Sequence, residues 1–400
     1  MSNKLKKNIL LIITGSIACY KSMDLIRLLK KSNFNVTCIL TKSAQEFITP
    51  LLCSSLTNNH TYSDLFNVAD ELKMGHIKLS RDNDLIIIAP ASANFIAKIA
   101  NGYANDLASS CVLASDKKIL IAPAMNDKMW HSKQNQDNIS KINKSDITII
   151  EPQSDILACN EFGKGKMAEP QAIYQNIINY FNYKNKLKNI NIIITGGSTI
   201  EPIDPVRYIG NYSSGKQSIE IAKILNEMGA NITFIASNIK NHINIDPKNI
   251  IHCSNADDIF SAVKKNIKNC DIYISCAAIS DFKVKNYSSS KIKKAANKDL
   301  KIELTENPDI LKYVSTSKNR PKIVIGFAAE SNDIEKNGRK KLIEKNLDFI
   351  IANDVDNGKI FDNQKSRAML INHKSSTKLK LLQKSEIALL IANEILAIID

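Results

Sequence analysis

One pattern occurs twice in this 400-residue chain: NILLIITGSIA near the N-terminus and NINIIITGGST near the middle. Each is an apolar run that ends in Thr-Gly, followed by small residues and an amphipathic stretch. A strand that feeds a glycine turn and then a helix leaves backbone N–H groups and a positive dipole end free for an anion, usually phosphate. The glycines Gly15 and Gly196 are equally consistent with no more than a tight strand-to-helix turn. Neither repeat carries G-x-G-x-x-G or a Walker A string, so an ordinary dinucleotide or P-loop assignment is not supported.

Short apolar runs alternate with amphipathic stretches throughout, as in parallel strands buried by crossover helices. Strands are expected near residues 8–14, 35–41, 85–89, 118–122 and 147–151, then near 190–195, 231–236, 271–276, 322–326, 349–352 and 369–372. A helix is expected from Gln171 to about Tyr183, followed by the lysine/asparagine linker Lys184 to Lys188. The expected fold class is therefore α/β, with two Rossmann-like domains at residues 1–185 and 186–400.

Charge raises a different possibility. Lys and Arg number 54 against 40 Asp and Glu, a formal charge of +14. Such an excess suggests a nucleic-acid partner. Only six of the cations are arginine (Arg27, Arg81, Arg207, Arg320, Arg339, Arg367), so bidentate base readers are scarce. The lysines are spread along the chain, and a solvated lysine surface is the better reading. The eight cysteines form no C-x-x-C pair and no zinc spacing. With no apolar leader after Met1 and no stretch long enough to span a bilayer, a cytoplasmic protein without a membrane partner is expected.

Three segments of the first half follow strands, where α/β sheets present ligands. They are Ala89-Pro90-Ala91-Ser92-Ala93-Asn94, then Pro123-Ala124-Met125-Asn126 leading to Trp130, and the glycine-containing stretch Ala158-Cys159 to Gly165-Lys166-Met167, which suits a flexible lid. Together with G-S-I-A-x-Y-K and Met74-Gly75-His76-Ile77, these resemble the FMN-dependent phosphopantothenoylcysteine decarboxylases and related enzymes acting on peptidyl cysteines. The resemblance implies a flavodoxin-like domain binding FMN through Gly15, Ser16, Thr41, Ser43, Ser92 and Asn94. It further implies that His76 assists the oxidative steps, that Asn126 holds the substrate carboxylate, and that Cys159 donates a proton in the reductive half. The chain departs from the family pattern at Asn160, where Gly is usual, and at Lys166, where Arg is usual.

The second half contains T-G-G-S-T-I-E-P-I-D-P-V-R-Y-I-G-N-Y-S-S-G-K, residues 195–216. Its two X-Pro steps favour extended or turn backbone, so a long ordered loop is expected before a helix that opens at Ser213-Ser214-Gly215. The string resembles the signature of phosphopantothenate-cysteine ligase. The order decarboxylase then ligase resembles the bacterial bifunctional family of coenzyme A biosynthesis over nearly the whole chain. This implies a CTP site formed by Ser275, Cys276, Ala277, Asp281, Lys291, Pro308, Asp309, Ile310, Leu311, Phe327, Lys341 and Lys345. Lys291 is the expected catalytic cation, and Asn211 is expected to act on an acyl-cytidylate. Lys341 and Lys345 lie four apart, where both could reach one triphosphate. Gln217 and Ser218 depart from the usual Met and Gly.

The resemblance also implies Mg2+ or another divalent ion, with ligands unknown, and homo-oligomers that are trimer-based for the decarboxylase and dimeric for the ligase. Two other readings remain: a decarboxylase of a different cysteinyl substrate with a degenerate ligase domain, and a basic nucleotide- or nucleic-acid-binding module.

Overall fold

The computed structural model describes residues 6–64, 75–142, 147–239, 243, 245–293, 300–354, 365–379 and 381–399. The chain forms two compact units, Met1–Asn182 and Tyr183–Asp400.

The first unit opens with β1 (Asn8–Ile13), α1 (Cys19–Lys31), β2 (Asn35–Leu40), α2 (Pro50–Thr57), β3 (Thr61–Tyr62), α3 (Gly75–Arg81) and β4 (Leu85–Ala91). It continues with α4 (Ala93–Ala100), α5 (Leu107–Leu113), β5 (Ile119–Pro123), α6 (Asp127–His131), α7 (Lys133–Ile142), β6 (Ile147–Ile149), the pair β7 (Gln153–Ile156) and β8 (Phe162–Lys166), and α8 (Pro170–Tyr183). Six strands form one parallel sheet in the order β3-β2-β1-β4-β5-β6. Without the two-residue edge strand β3, this is the flavodoxin-like order, whose chain reversal between β1 and β4 opens a crevice at the strands' carboxyl ends. Alternate residues feed cores on both faces. Ile9, Leu11, Ile13, Val36 and Leu40 pack with α1 and α8 on one side, and Leu10, Ile12, Ile86 and Ile88 pack with α4 and α5 on the other. Burial of both faces explains why these strands read as unbroken apolar runs.

The second unit begins β9 (Asn191–Gly197), β10 (Ile200–Pro202), β11 (Tyr208–Gly210), α9 (Lys216–Glu227), β12 (Asn231–Ser237), β13 (Ile250–Cys253), α10 (Ala256–Asn266) and β14 (Ile272–Ser275). There follow β15 (Phe282–Val284), β16 (Leu304–Glu306), α11 (Ile310–Thr316), β17 (Ile323–Glu330), α12 (Ile334–Glu344), β18 (Phe349–Asp354), β19 (Lys365–Ser366), β20 (Ala368–Asn372), β21 (Ser376–Lys378), β22 (Leu382–Gln383) and α13 (Lys384–Ile399). The main sheet runs β13-β12-β9-β14-β17-β18-β20-β21 and is parallel up to β18, with β20 and β21 added antiparallel. The chain reverses between β9 and β14. The string expected as one long loop instead contains the antiparallel pair β10 and β11. Its prolines sit at a strand end and in the connection, where no ladder N–H is needed.

Among the described residues, no helix is long and apolar enough to cross a membrane.

Candidate active sites

A cavity of about 890 Å³ opens at the carboxyl ends of β1, β2, β4 and β5. All six expected flavin-contacting residues line it: Gly15, Ser16, Thr41, Ser43, Ser92 and Asn94. Thr14 ties the strand ends together. Its hydroxyl donates to the Pro90 carbonyl at 2.9 Å and accepts from the Ser92 amide at 2.8 Å, while the Thr41 amide donates to the Ile13 carbonyl at 3.1 Å. A Cβ at Gly15 would lie 2.5 Å from the Ser43 Cβ, so only glycine lets the first and second loops close this rim. Ser92 caps α4, and Asp106 caps α5 while pairing with Lys98 at 2.6 Å. Burial acts to raise the Asp106 carboxyl, but Lys98 and the Ser109 donors outweigh it and hold it below the usual range.

The stretch expected as a flexible lid is a β-hairpin, β7 and β8, with Cys159 in its turn. Its glycines serve close approach more than freedom. A Cβ at Gly163 would lie 2.5 Å from Asp127, and one at Gly165 would overlap the Met125 carbonyl oxygen. The Lys164 amide donates to Asp127 Oδ1 at 2.7 Å and the Met125 amide to the Gly165 carbonyl at 3.0 Å, which seats β8 along the start of α6. This brings Asn126 and Cys159 together: Asn126 Nδ2 stands 3.5 Å from Cys159 Sγ. Asn126 Oδ1 meanwhile caps α6 by accepting from the Lys128 amide at 2.8 Å, so its amide group is held with Nδ2 outward. His76 falls in α3, and its side chain lies outside the described residues.

Sequence reasoning did not single out two cavity neighbours. Glu161 stands 3.4 Å from Asn126 Nδ2 and 3.8 Å from Cys159 Sγ. Lys21, buried among apolar residues of α1, bonds Glu169 at 2.7 Å and the Met167 carbonyl at 3.4 Å, bracing the foot of the hairpin. Lys21 lay in plain view inside G-S-I-A-x-Y-K; nothing marked Glu161.

In the second unit a smaller cavity, about 330 Å³, lies beside the β9 and β14 ends. The loop after β14 is laced to the loop after β9: the Ala278 amide donates to the Gly197 carbonyl at 2.8 Å and the Ser280 amide to Thr199 Oγ1 at 3.0 Å. Of the expected residues, Asn211, Cys276, Ala277, Asp281, Phe327 and Lys341 line the cavity. Asn211 Nδ2 donates to the Ile279 carbonyl at 3.1 Å. Lys341 donates to the Phe327 carbonyl at 3.2 Å, and burial, then the neighbouring Lys345 charge, hold its ammonium below the usual lysine value.

The remaining expected residues stand apart from that lining. Ser275 is buried at the end of β14, and Ile310 and Leu311 belong to the core. Asp309 caps α11 and binds Lys345 at 3.1 Å. Pro308 lies next to this cap, joined to the site through the Asn307 amide, which donates to the Asp281 carbonyl at 2.8 Å. Lys291 is exposed. Its neighbour Ile292 donates its amide to Asp204 Oδ2 at 3.1 Å and accepts from the Arg207 guanidinium, which fastens this loop to the signature string. Lys294 lies outside the described residues. Among the described residues there is no group of three His, Cys, Asp or Glu able to hold a metal ion.

Residues 1–182 match the family model described as Flavoprotein, and residues 187–399 match the DNA/pantothenate metabolism flavoprotein C-terminal domain. The coenzyme A biosynthesis bifunctional protein CoaBC of Haemophilus influenzae is 40% identical over 98% of this chain and 97% of its own. Those of Vibrio vulnificus and Escherichia coli are 37% and 38% identical, covering 94% and 87% of this chain and 97% and 86% of theirs. The chain belongs to the bifunctional coenzyme A biosynthesis family.

Each departure from that family's expected pattern has a local structural account. Asn160 takes φ +59°, a left-handed conformation Asn tolerates where Gly is usual. Lys166 bonds Asp155 across the hairpin at 2.6 Å, a point-charge pair that does not require an arginine fork. Ser218 is buried against Gly196, whose missing Cβ leaves room for it, and its hydroxyl donates to the Gly215 carbonyl at 2.7 Å. Gln217 Nε2 donates to the Lys384 carbonyl at 3.1 Å, joining α9 to the start of α13.

Proposed function

We propose that this chain catalyses two consecutive steps of coenzyme A biosynthesis. The second unit joins phosphopantothenate to cysteine using CTP, and the first decarboxylates the resulting phosphopantothenoylcysteine to phosphopantetheine with bound FMN. The observation that carries the reading is the meeting of the Asn126 amide and the Cys159 thiol at the mouth of a cavity edged by Gly15, Ser16, Ser43 and Ser92.

The residues present fit a flavin mononucleotide. The cavity is within the roughly 300–1,000 Å³ of ligand pockets, apolar along Phe95, Met125 and Leu157, and its rim closes only because Gly15 lacks a Cβ. Thr41, Asn94 and the serines would hold the cofactor. When bound, the flavin supplies a two-electron acceptor and donor, which lets a cysteinyl carboxylate leave as CO2 without net oxidation.

The protein's part is positioning and proton supply. Asn126, fixed by its cap to α6, offers Nδ2 to the carboxylate. Cys159 stands within reach of the same group and gives its proton to the carbon left behind. The β7–β8 hairpin carries Cys159 to the mouth of the cavity. At the ligase cavity the substrate carboxylate displaces pyrophosphate from CTP, and the cysteine amine then displaces CMP from the acyl-cytidylate. Lys341 and Lys291 neutralise phosphoryl charge, and Asn211 orients the activated acid. Among the described residues, no three His, Cys, Asp or Glu side chains make a metal cage.

Homo-oligomers, trimer-based for the first unit and dimeric for the second, and a cytoplasmic location belong to the same proposal. In support of the first assembly, Ile17, Tyr20, Met129 and Ile156 leave apolar surface exposed around the flavin cavity.

The test is incubation of purified protein with phosphopantothenate, cysteine, CTP and Mg2+, with products identified by mass. Phosphopantetheine, CMP, pyrophosphate and CO2 are expected, from a yellow protein. No CMP would overturn the ligase assignment, and accumulation of phosphopantothenoylcysteine the decarboxylase one. A colourless preparation that binds polynucleotide steeply with falling salt would favour a basic nucleic-acid binder instead.

A further inference from the structure

We infer that Glu161 governs how the decarboxylase cavity receives a carboxylate: its own carboxylate fills the place that the carboxylate of a cysteinyl substrate takes, and substrate must displace it. The inference rests on the decarboxylase reading and adds a residue to which that reading gives no part.

Three groups meet at the mouth of the flavin cavity. Asn126 Nδ2 stands 3.5 Å from Cys159 Sγ and 3.4 Å from Glu161 Oε2, and Cys159 Sγ stands 3.8 Å from that same oxygen. The orientation of the Asn126 amide is set from its other end, where Oδ1 accepts the Lys128 amide at 2.8 Å to cap α6. A side-chain amide has two N–H donors, and here a thiol sulfur and a carboxylate oxygen take them. The donor assigned to the substrate carboxylate is therefore already engaged, and by the same chemical group.

The hairpin turn holds Glu161 in this position. The Leu157 amide donates to the Glu161 carbonyl at 2.9 Å and the Asn160 amide to the Leu157 carbonyl at 2.9 Å, with Asn160 left-handed at φ +59°. The hairpin's other carboxylate, Asp155, is neutralised by Lys166 at 2.6 Å. Among the described residues Glu161 forms no ion pair, and its side-chain partners are the Asn126 amide and the Cys159 thiol. Two carboxylates at one amide repel each other, so this contact and a bound substrate carboxylate exclude one another.

The exchange suits the reaction. A contact to the substrate carboxylate is strongest before CO2 leaves and has no object afterwards, so strengthening it only deepens the ground state. Displacement of Glu161 offsets part of that contact. Once CO2 has left, Glu161 returns to Asn126 Nδ2, and a product without a carboxylate does not compete for the amide.

The experiment compares a ligand that carries the carboxylate with one that lacks it. Holoenzyme whose flavin has been reduced with dithionite under nitrogen cannot take electrons from the substrate thiol, so phosphopantothenoylcysteine binds without turnover. Calorimetry then gives Kd for it and for phosphopantetheine in wild type, Glu161→Ala and Glu161→Gln. We expect Glu161→Ala to bind phosphopantothenoylcysteine about three- to tenfold more tightly, Glu161→Gln to shift the same way, and phosphopantetheine to stay within about twofold in both. A residue that merely supported the turn would weaken both ligands when removed. Unchanged or weaker phosphopantothenoylcysteine binding in Glu161→Ala, or equal tightening of both ligands, would overturn the inference. Flavin content and thermal unfolding report whether each variant is intact, and should the Ala variant not retain its flavin, Glu161→Gln decides by the same criterion. Failure of the oxidised wild-type protein to release CO2 from phosphopantothenoylcysteine is a different result, the failure of the decarboxylase reading itself.

Discussion

At the residue scale, Cys159 is set apart from the chain's other thiols. Cys19, Cys38, Cys53 and Cys111 are buried, and Cys253, Cys270 and Cys276 are half-buried with burial pushing their thiols to about 11, 12 and 12. The thiolate is the reactive form, so brief treatment with iodoacetamide near neutral pH is expected to label Cys159 first. Decarboxylation should then be lost while CMP release continues, as read by peptide mass and product analysis. Full decarboxylation by protein labelled at Cys159 would remove that thiol from the mechanism. Asp204 supports a second prediction. It is 2% exposed, takes the Val206 and Arg207 amides at 2.8 Å and the Ile292 amide at 3.1 Å, and pairs with the Arg207 guanidinium. Burial acts to raise its carboxyl, but these donors prevail and hold it at about 2 against a free value of 3.8. A carboxyl depressed on folding contributes stability in full above its free value and loses it as pH falls through the folded one. Asp204→Asn should therefore lower Tm near neutral pH, with the difference from wild type closing between about pH 4 and pH 2. It should also slow CMP release by freeing the Lys291 loop. A Tm difference that stays constant down to the lower limit would rule out the charge as its cause.

At the scale of elements, what was legible follows burial. The inner parallel strands are apolar on both faces, so their runs and carboxyl ends could be read directly, and the Thr14, Ser92 and Asn126 loops with them. The hairpins β7–β8, β10–β11 and β15–β16 could not, because their strands are three to five residues long and mostly exposed. Their order comes from partners distant in sequence, as when Asp127 takes the Lys164 amide. Lys345 shows a related dependence: helical spacing puts it four residues from Lys341, whose ammonium feels its charge, and tertiary packing brings Asp309 to it at 3.1 Å. The contact between β9 and α9 supports a further prediction. A Cβ at Gly196 would overlap Ser218 Oγ and lie 2.8 Å from the Phe234 ring. Gly196→Ala is expected to destabilise the second unit by about 1–3 kcal/mol, and adding Ser218→Gly should recover part of that loss. Additive costs in the double-mutant cycle would show that the crowding lies elsewhere.

For the whole molecule, net charge was a poor guide to partner. Of the cations behind +14, those of functional interest reduce to a few beside one small cavity, and many others are ion-paired or solvated. More informative is the division of labour. Among the described residues, the flavin cavity is lined by residues between Thr14 and Met167 and the ligase cavity by residues between Asn211 and Lys384. Each step should therefore survive the loss of the other. Asn126→Asp keeps an oxygen to cap α6 but sets a negative charge against the substrate carboxylate, which should stop decarboxylation alone. Lys291→Gln removes a cation from the loop that Asp204 and Arg207 fasten to the signature string and should stop CMP release alone. The first variant then stops at phosphopantothenoylcysteine, with CMP and pyrophosphate released, and no product is expected from the second. When the two purified variants are mixed with phosphopantothenate, cysteine, CTP and Mg2+, the ligase of one supplies the decarboxylase of the other through solution, and phosphopantetheine should accumulate after a lag that shortens with protein concentration. A mixture that stops at phosphopantothenoylcysteine would mean that the intermediate must be handed over within one molecule, and that cavities with separate walls do not work as separate catalysts.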